Sequence, residues 1–221
     1  MSNGSVRIET FEAAGFGENA YLIWRAGQTF AVAIDPGGEA TAMADRLAAE
    51  GLFLEAILLT HAHVDHVEGV APLVARTGAA VHLHPADRPL YDHAADQARA
   101  FGLSVDPPPP PDLEIVPGRE LVVGDFSFEV RHVPGHSPGH VLFYLAEAEA
   151  AFTGDVVFAG AIGRTDLPGG SMRQLMTSLR EGVLTLPPGT RLYTGHGPAT
   201  TVRHEAATNP FVIGQFGGGL A

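Results

Sequence analysis

The apolar run AILLT, residues 56–60, ends at a segment in which His61, His63, Asp65 and His66 fall within six residues, HAHVDH. Such a run reads as a buried strand, so its polar continuation arrives at the end of a sheet. Loops at strand ends can bring neutral imidazoles and carboxylates to one point without consuming the hydrogen bonds of the sheet, which is what a metal site requires. In an extended conformation His61 and His63 face the same side, whereas the adjacent Asp65 and His66 must diverge. One loop can therefore serve two neighbouring ions.

Three further candidates stand in glycine-flanked turns after apolar runs: His136 in VPGHSPGH, Asp155 in AFTGDVVF and His196 in LYTGHGPAT. Glycine beside a ligand lets the backbone turn sharply and leaves room for an ion or a substrate. The repetition of strand, glycine, then histidine or aspartate is far more specific than any one histidine. His82, His84, His93, His132 and His204 lack that context and read as structural or exposed. The stretch GHSPG formally matches the G-x-S-x-G elbow of serine hydrolases, but Pro138 follows the serine and has no N–H for an oxyanion. Ser137 is therefore expected to make a local turn hydrogen bond.

Composition closes off other chemistries. The chain of 221 residues has no cysteine, and its 13 basic residues are all arginine. Thiolate ligands, disulfides, a cysteine nucleophile and Schiff-base chemistry are thereby excluded. A formal charge of −12 disfavours a nucleic-acid backbone or an anionic membrane surface as partner. Bound divalent cations would offset part of that charge. No basic leader and no apolar stretch approaching the roughly 20 residues of a membrane span is visible, and a cytoplasmic location follows as the expectation.

The pattern of runs and breaks predicts one domain over residues 1–221. Strands are expected at VRIETF, AYLIW, FAVAID, FLEAILL and AVHLH, with helices over EATAMADRLAAEG, stopping at Gly51, and over VEGVAPLVARTG. Residues 85–111 read as a mostly helical excursion ending in a stiff run of prolines. REL, FSFEVRHV, VLFYLA and AAFTGDVVF suggest a second sheet. SMRQLMTSLREG reads as a helix with Ser171 and Gln174 in capping-box positions and Gly182 at its end.

HAHVDH followed in order by His136, Asp155 and His196 resembles the metallo-β-lactamase fold superfamily, from NAYLI and AIDPGG to TGHGPATT. Within it, PGHSPGH, GRTDLPGGS and TGHGPATTVRHEAATNPF are similar to the glyoxalase II-like hydroxyacylglutathione hydrolases. The resemblance implies an α/β fold, an αββα sandwich of two mixed sheets flanked by helices, with metals at one edge between the sheets. It assigns His61, His63 and His136 to one divalent ion, Asp65, His66 and His196 to a second, and Asp155 to both. The ions would be zinc, or iron or manganese. Asp35 would stand behind the ligands or form an Asx-type turn, and Arg164, Thr165 and Asp166 would order a loop beside the metals.

The implied activity is hydrolysis of a small-molecule acyl thioester such as S-lactoylglutathione by a hydroxide shared between the ions, which Asp65 positions. A thiol leaving group of pKa about 8.5 needs little acid assistance. The sequence ends soon after TNPFVIGQF, which predicts that the helical domain that holds glutathione in full-length glyoxalase II enzymes is missing. Two other readings remain open at this stage. One is a persulfide dioxygenase with a single iron at positions matching His61, His136 and Asp155. The other is a non-catalytic domain stabilised by metal.

Overall fold

The computed structural model of the protein describes residues 4–214; Gln215 and Phe216 of the terminal motif lie outside them. Among the described residues the chain forms two six-stranded sheets. The first contains β1 (Val6–Glu12), β2 (Asn19–Arg25), β3 (Phe30–Ile34), β4 (Phe53–Leu58), β5 (Ala80–Leu83) and β6 (Leu113–Glu114), in that spatial order. The second contains β7 (Glu120–Val123), β8 (Phe126–His132), β9 (Val141–Leu145), β10 (Ala150–Gly154), β11 (Arg191–Thr194) and β12 (Thr200–Thr201), again ordered as in the chain. Both sheets are mixed: β3, β4, β5 and β6 run parallel, as do β10 and β11, and the remaining pairs are antiparallel.

Continuous apolar runs in the central strands follow from coverage on both faces. In β2, Tyr21 and Ile23 point between the sheets and meet Phe128, Phe143 and Phe152, while Leu22 and Trp24 point outward to the helices. Likewise Val141, Phe143 and Leu145 of β9 face inward, and Leu142 and Tyr144 face the other helical layer. Helices α1 (Ala40–Glu50) and α3 (Val70–Thr77) cover the first sheet through Met43, Leu47, Val70 and Leu73. On the second sheet, α6 (Met172–Ser178) adds Leu175 and Met176. This is the expected αββα sandwich.

Local differences from the expected elements have physical reasons. Helix α1 ends as predicted, at Gly51 with φ of 66°, where its N–H and that of Leu52 cap the last carbonyls. The helix expected over VEGVAPLVARTG is instead two pieces. A single turn, α2 (Val64–Val67), begins inside HAHVDH, and α3 restarts after Gly69, whose close fit against the carbonyls of Pro36 and Gly37 admits no side chain. Pro72 lies in the first turn of α3, where a missing N–H costs nothing. Residues 85–111 supply α4 (Arg88–Asp92) and α5 (Ala94–Ala100), then an extended proline run. Ser171 caps α6 through the Gln174 N–H, but Gly182 does not end the helix. The chain continues as a wider π-helical turn over Leu179–Val183, and Gly182 is required by its approach to Val133. No helix among the described residues is long and apolar enough to cross a membrane.

Candidate metal centre

Parallel pairing gathers the candidate residues at one edge. Because β3 and β4 run together, Asp35 and His61 leave the first sheet side by side, and the Asp35 N–H bonds Leu58 O at 3.1 Å. Because β10 and β11 run together, Asp155 and His196 leave the second sheet side by side, joined by Gly195 N–H to Gly154 O at 2.9 Å. The sheets meet at this edge: Val141 N–H donates to Thr60 O, and Asn19 N–H donates to Gly195 O. His136 arrives on the loop after β8. Ligand sites at the C-terminal ends of parallel strands are the general pattern in mixed α/β sheets.

All seven predicted residues converge. His136 Nε2 lies 2.7 Å from His63 Nδ1 and 3.2 Å from His61 Nε2. His196 Nε2 lies 3.1 Å from Asp65 Oδ2, and His66 Nε2 lies 3.7 Å from the same oxygen. Asp155 stands between the groups, with Oδ1 at 3.3 Å from His66 Nε2 and Oδ2 at 3.4 Å from His136 Nε2 and 3.5 Å from His196 Nε2. The donor atoms of His61, His63 and His136 lie within 4.8 Å of one another, as do those of Asp65, His66 and His196, so each group could hold an ion.

The atoms behind the cluster set its orientation. Four rings turn their other nitrogen outward: His61 Nδ1 to Thr60 Oγ1 at 3.1 Å, His66 Nδ1 to Asp35 Oδ2 at 3.1 Å, His136 Nδ1 to Arg164 O at 2.8 Å and His196 Nδ1 to Gly17 O at 3.2 Å. Such outer partners aim the free nitrogen inward and raise its basicity, as is usual for histidines that bind metals. Asp35, His61 and His66 form a third close group. The Asp35 oxygens, however, accept from Thr60 N–H, Thr60 Oγ1–H and the outward face of His66, so Asp35 positions those residues and makes no Asx turn. Its φ of 47° is tolerated by aspartate.

The buried atoms fit divalent cations. His63 Nε2, His66 Nε2 and Asp155 Oδ1 are buried without hydrogen-bond partners, which is costly unless something else satisfies them. Burial depresses His61 and holds His63 down to about 4, so both present neutral rings. Burial also disfavours charge on His66 and His196, but the carboxylates of Asp65 and Asp155 outweigh it and raise both, His196 to about 9. Asp155 is pulled well below the carboxylate range despite burial, chiefly by His66. Cationic charge is thus favoured here.

Three contributors escaped the sequence reading. Asp87 accepts from Ala62 N–H, Ser137 Oγ–H and Gly139 N–H, tying HAHVDH to the His136 loop. Ser137 therefore makes a long-range bond and not the local turn bond expected of it. His140 is fully buried, its Nε2 accepting the Asp155 N–H and its ring 4.8 Å from His61; its place in PGHSPGH was the available signal. Glu18 is fully buried with neither oxygen hydrogen-bonded, Oε1 lying 3.9 Å from His66 Nδ1, and burial raises its pKa well above normal. Of Arg164, Thr165 and Asp166, Arg164 reaches the centre through its carbonyl, while its guanidinium holds Asp166 in an exposed pair. Of the other histidines, His84 stacks on His132, and His132 Nε2 bonds Pro138 O.

Residues 13–196 match the family model described as the metallo-beta-lactamase superfamily. Hydroxyacylglutathione hydrolase GloC of Haemophilus influenzae is 38% identical over 209 residues, covering 94% of this chain and 98% of that protein. Among solved structures, the BLEG-1 B3 metallo-beta-lactamase superposes with a TM-score of 0.88 at 38% identity, over 94% of this chain and 100% of that one. TTHA1623 in a di-iron-bound form superposes with a TM-score of 0.84 at 46% identity, over 92% and 99% of the two chains. With the four-layer sandwich and the histidine and aspartate cluster at its edge, these matches establish that the chain belongs to the metallo-beta-lactamase superfamily of metallo-hydrolases.

Proposed function

We propose that the chain is a binuclear metal-dependent hydrolase that cleaves a small-molecule thioester, with S-lactoylglutathione the first compound to assay. One divalent ion would be held by His61, His63 and His136 and the other by Asp65, His66 and His196. Asp155 would touch both. The observation that carries this reading is the Asp155 carboxylate, which directs one oxygen at His66 and the other at His136 and His196. The donor set of imidazole and carboxylate suits zinc, iron or manganese, and the di-iron form of a relative at 46% identity keeps iron among them.

Divalent ions bound there supply an activated water near neutral pH and polarise the scissile carbonyl. The remaining work falls to side chains. Of the two carboxylate ligands Asp65 is the more open, its side chain 17% exposed against 9% for Asp155, and it can accept a hydrogen bond from the attacking water. Thr60, Asp35 and the Arg164 carbonyl hold the imidazoles so that little reorganisation accompanies reaction. Water adds to the acyl carbon, a C–O bond forms and the C–S bond breaks. The products are a carboxylate, a thiol and a proton released to solvent. Glu18 and Asp35 are nearby carboxylates left outside both ligand groups, and their burial removes them as acids for the leaving group. A thiolate with a pKa of about 8.5 departs without one.

The name of the GloC relative supports a glutathione thioester as a first assay. The test is metal-loaded protein with S-lactoylglutathione and simpler thioesters, following loss of thioester absorbance. Hydrolysis that a chelator abolishes while circular dichroism stays native is the expected result. Failure to cleave any thioester with both ions bound would refute the proposal, and oxygen uptake with a persulfide would point to iron oxygenation chemistry.

A further inference from the structure

A cleft of about 410 Å³ opens beside the candidate centre, with Asp65, Asp155 and His196 contributing to its lining. That volume is in the range of small-ligand sites. The rest of the lining is mostly carbon: Phe16, Leu90, Phe101, Leu167 and Pro168. Phe16 and Phe101 meet edge to face at 5.6 Å, and Phe101 remains 57% exposed, with Leu103 close by in sequence at 41%. Apolar surface left open beside a reactive centre marks a place where something apolar docks.

Charge in the cleft points the same way. Arg164 is the one cationic arginine among its described lining residues, and both Nε and Nη2 already hold Asp166 at 2.7 Å. Helix α4, which bears Leu90, and α5, which ends just before Phe101, carry Arg88 and Arg99, which pair with Asp92 and Asp96. The Gln97 amide group donates to Ala62 O and Leu90 O, so it braces the wall and leaves no N–H for a ligand. A glutathione moiety carries two carboxylates, and among the described lining residues the cationic side chains, Arg164 and His196, already face carboxylates.

We infer that the cleft takes an uncharged apolar group, an aliphatic or aryl chain on either side of the scissile thioester, and not the glutathione tripeptide. The inference rests on the proposed thioester hydrolysis for its chemistry, and on the cleft alone for its ligand class. Because burial of each methylene is worth up to about fourfold in affinity, binding rises with chain length until the cleft is filled.

The experiment is calorimetry on metal-loaded protein with non-hydrolysable thioethers, comparing S-butyl, S-hexyl and S-octyl N-acetylcysteamine with the matching S-alkylglutathiones. Hydrolysis of octanoyl-N-acetylcysteamine and S-lactoylglutathione is measured alongside. The expected result is affinity that climbs with chain length, at least about tenfold tighter binding of the uncharged series, and a flattened length dependence in Phe101→Ser, a change at an exposed position that leaves the core intact. Tighter binding of the glutathione series, or no dependence on length, overturns the inference; if S-lactoylglutathione is then hydrolysed best, the thioesterase reading stands without it. Length-dependent binding with no thioester cleaved confirms the ligand class and refutes the thioesterase reading.

Discussion

The Asp87 carboxylate accepts the hydroxyl proton of Ser137 at 2.7 Å, although fifty residues separate them, and the same oxygen accepts the Ala62 N–H at 3.0 Å. One buried side chain thus sets the distance between the loop carrying His61 and His63 and the loop carrying His136. Burial raises the Asp87 pKa, and its three hydrogen bonds oppose that shift. In Asp87→Asn an amide N–H must face at least one of the donors. We expect a loss of about 1–3 kcal/mol in stability and metal affinity about 10- to 100-fold weaker. Urea titration and competition with a chromophoric chelator would measure the two effects. Ser137→Ala, which removes one donor, should cost about 1 kcal/mol.

Asp35 acts on the other half of the centre. It bonds His66 Nδ1 and both the amide and hydroxyl of Thr60. Asparagine also tolerates a φ of 47°, so Asp35→Asn tests the carboxylate without straining the backbone. The ion assigned to Asp65, His66 and His196 should be lost about 10-fold more readily, while the other is retained. Stepwise chelator extraction followed by elemental analysis checks this; equal loss of both ions would show that Asp35 supports the loop as a whole.

Gly195 offers a test that removes no ligand. A Cβ there would lie 2.0 Å from Asp155 Oδ1 and 2.8 Å from His66 Cε1. Gly195→Ala should therefore displace Asp155 and abolish tight metal retention in a chain that still folds. Gly197, with φ of 71° and open space around its Cβ position, is the control. Gly197→Ala should cost about 1–2 kcal/mol of backbone strain and leave metal content unchanged. Metal analysis of the two purified variants separates the cases.

Metal uptake should release protons from the chain. His66 and His196 are held protonated by Asp65 and Asp155, against the effect of burial, with His196 at about 9. A ligand imidazole must be neutral, whereas Asp155 and Asp65 are already ionised because their pKa values are lowered. At pH 7 binding therefore displaces protons from His66 and His196, and apparent affinity rises with pH through the range near 9 in which His196 loses its proton. Calorimetry in buffers of different ionisation heat, at pH 7 and near pH 10, reads the difference; affinity that falls between pH 7 and 9 would contradict it.

How much of this was legible in the sequence depends on the range over which each residue acts. His61, His63, Asp65 and His66 follow one strand, and His136, Asp155 and His196 each follow a glycine turn, so local pattern was enough to pick out all seven as candidates. The two sheets were legible in short apolar runs, and their arrangement as a sandwich came with the family resemblance. Asp87 and Glu18 were not legible, because a buried carboxylate is defined by partners or neighbours brought together by folding, and HPAD and FGEN have no pattern of their own. The single turn α2 is too short for a helical period to show, and it places Asp65 and His66 on helix where a loop was expected. Gly182 looked like a helix stop, and its actual constraint is contact with Val133, far away in sequence.

The central claim is that seven side chains hold two ions. Elemental analysis of protein purified under low oxygen measures it directly, for the native chain and for His196→Ala. The account predicts close to two divalent ions per chain, falling close to one in the variant. One iron per native chain, unchanged by His196→Ala, would contradict it.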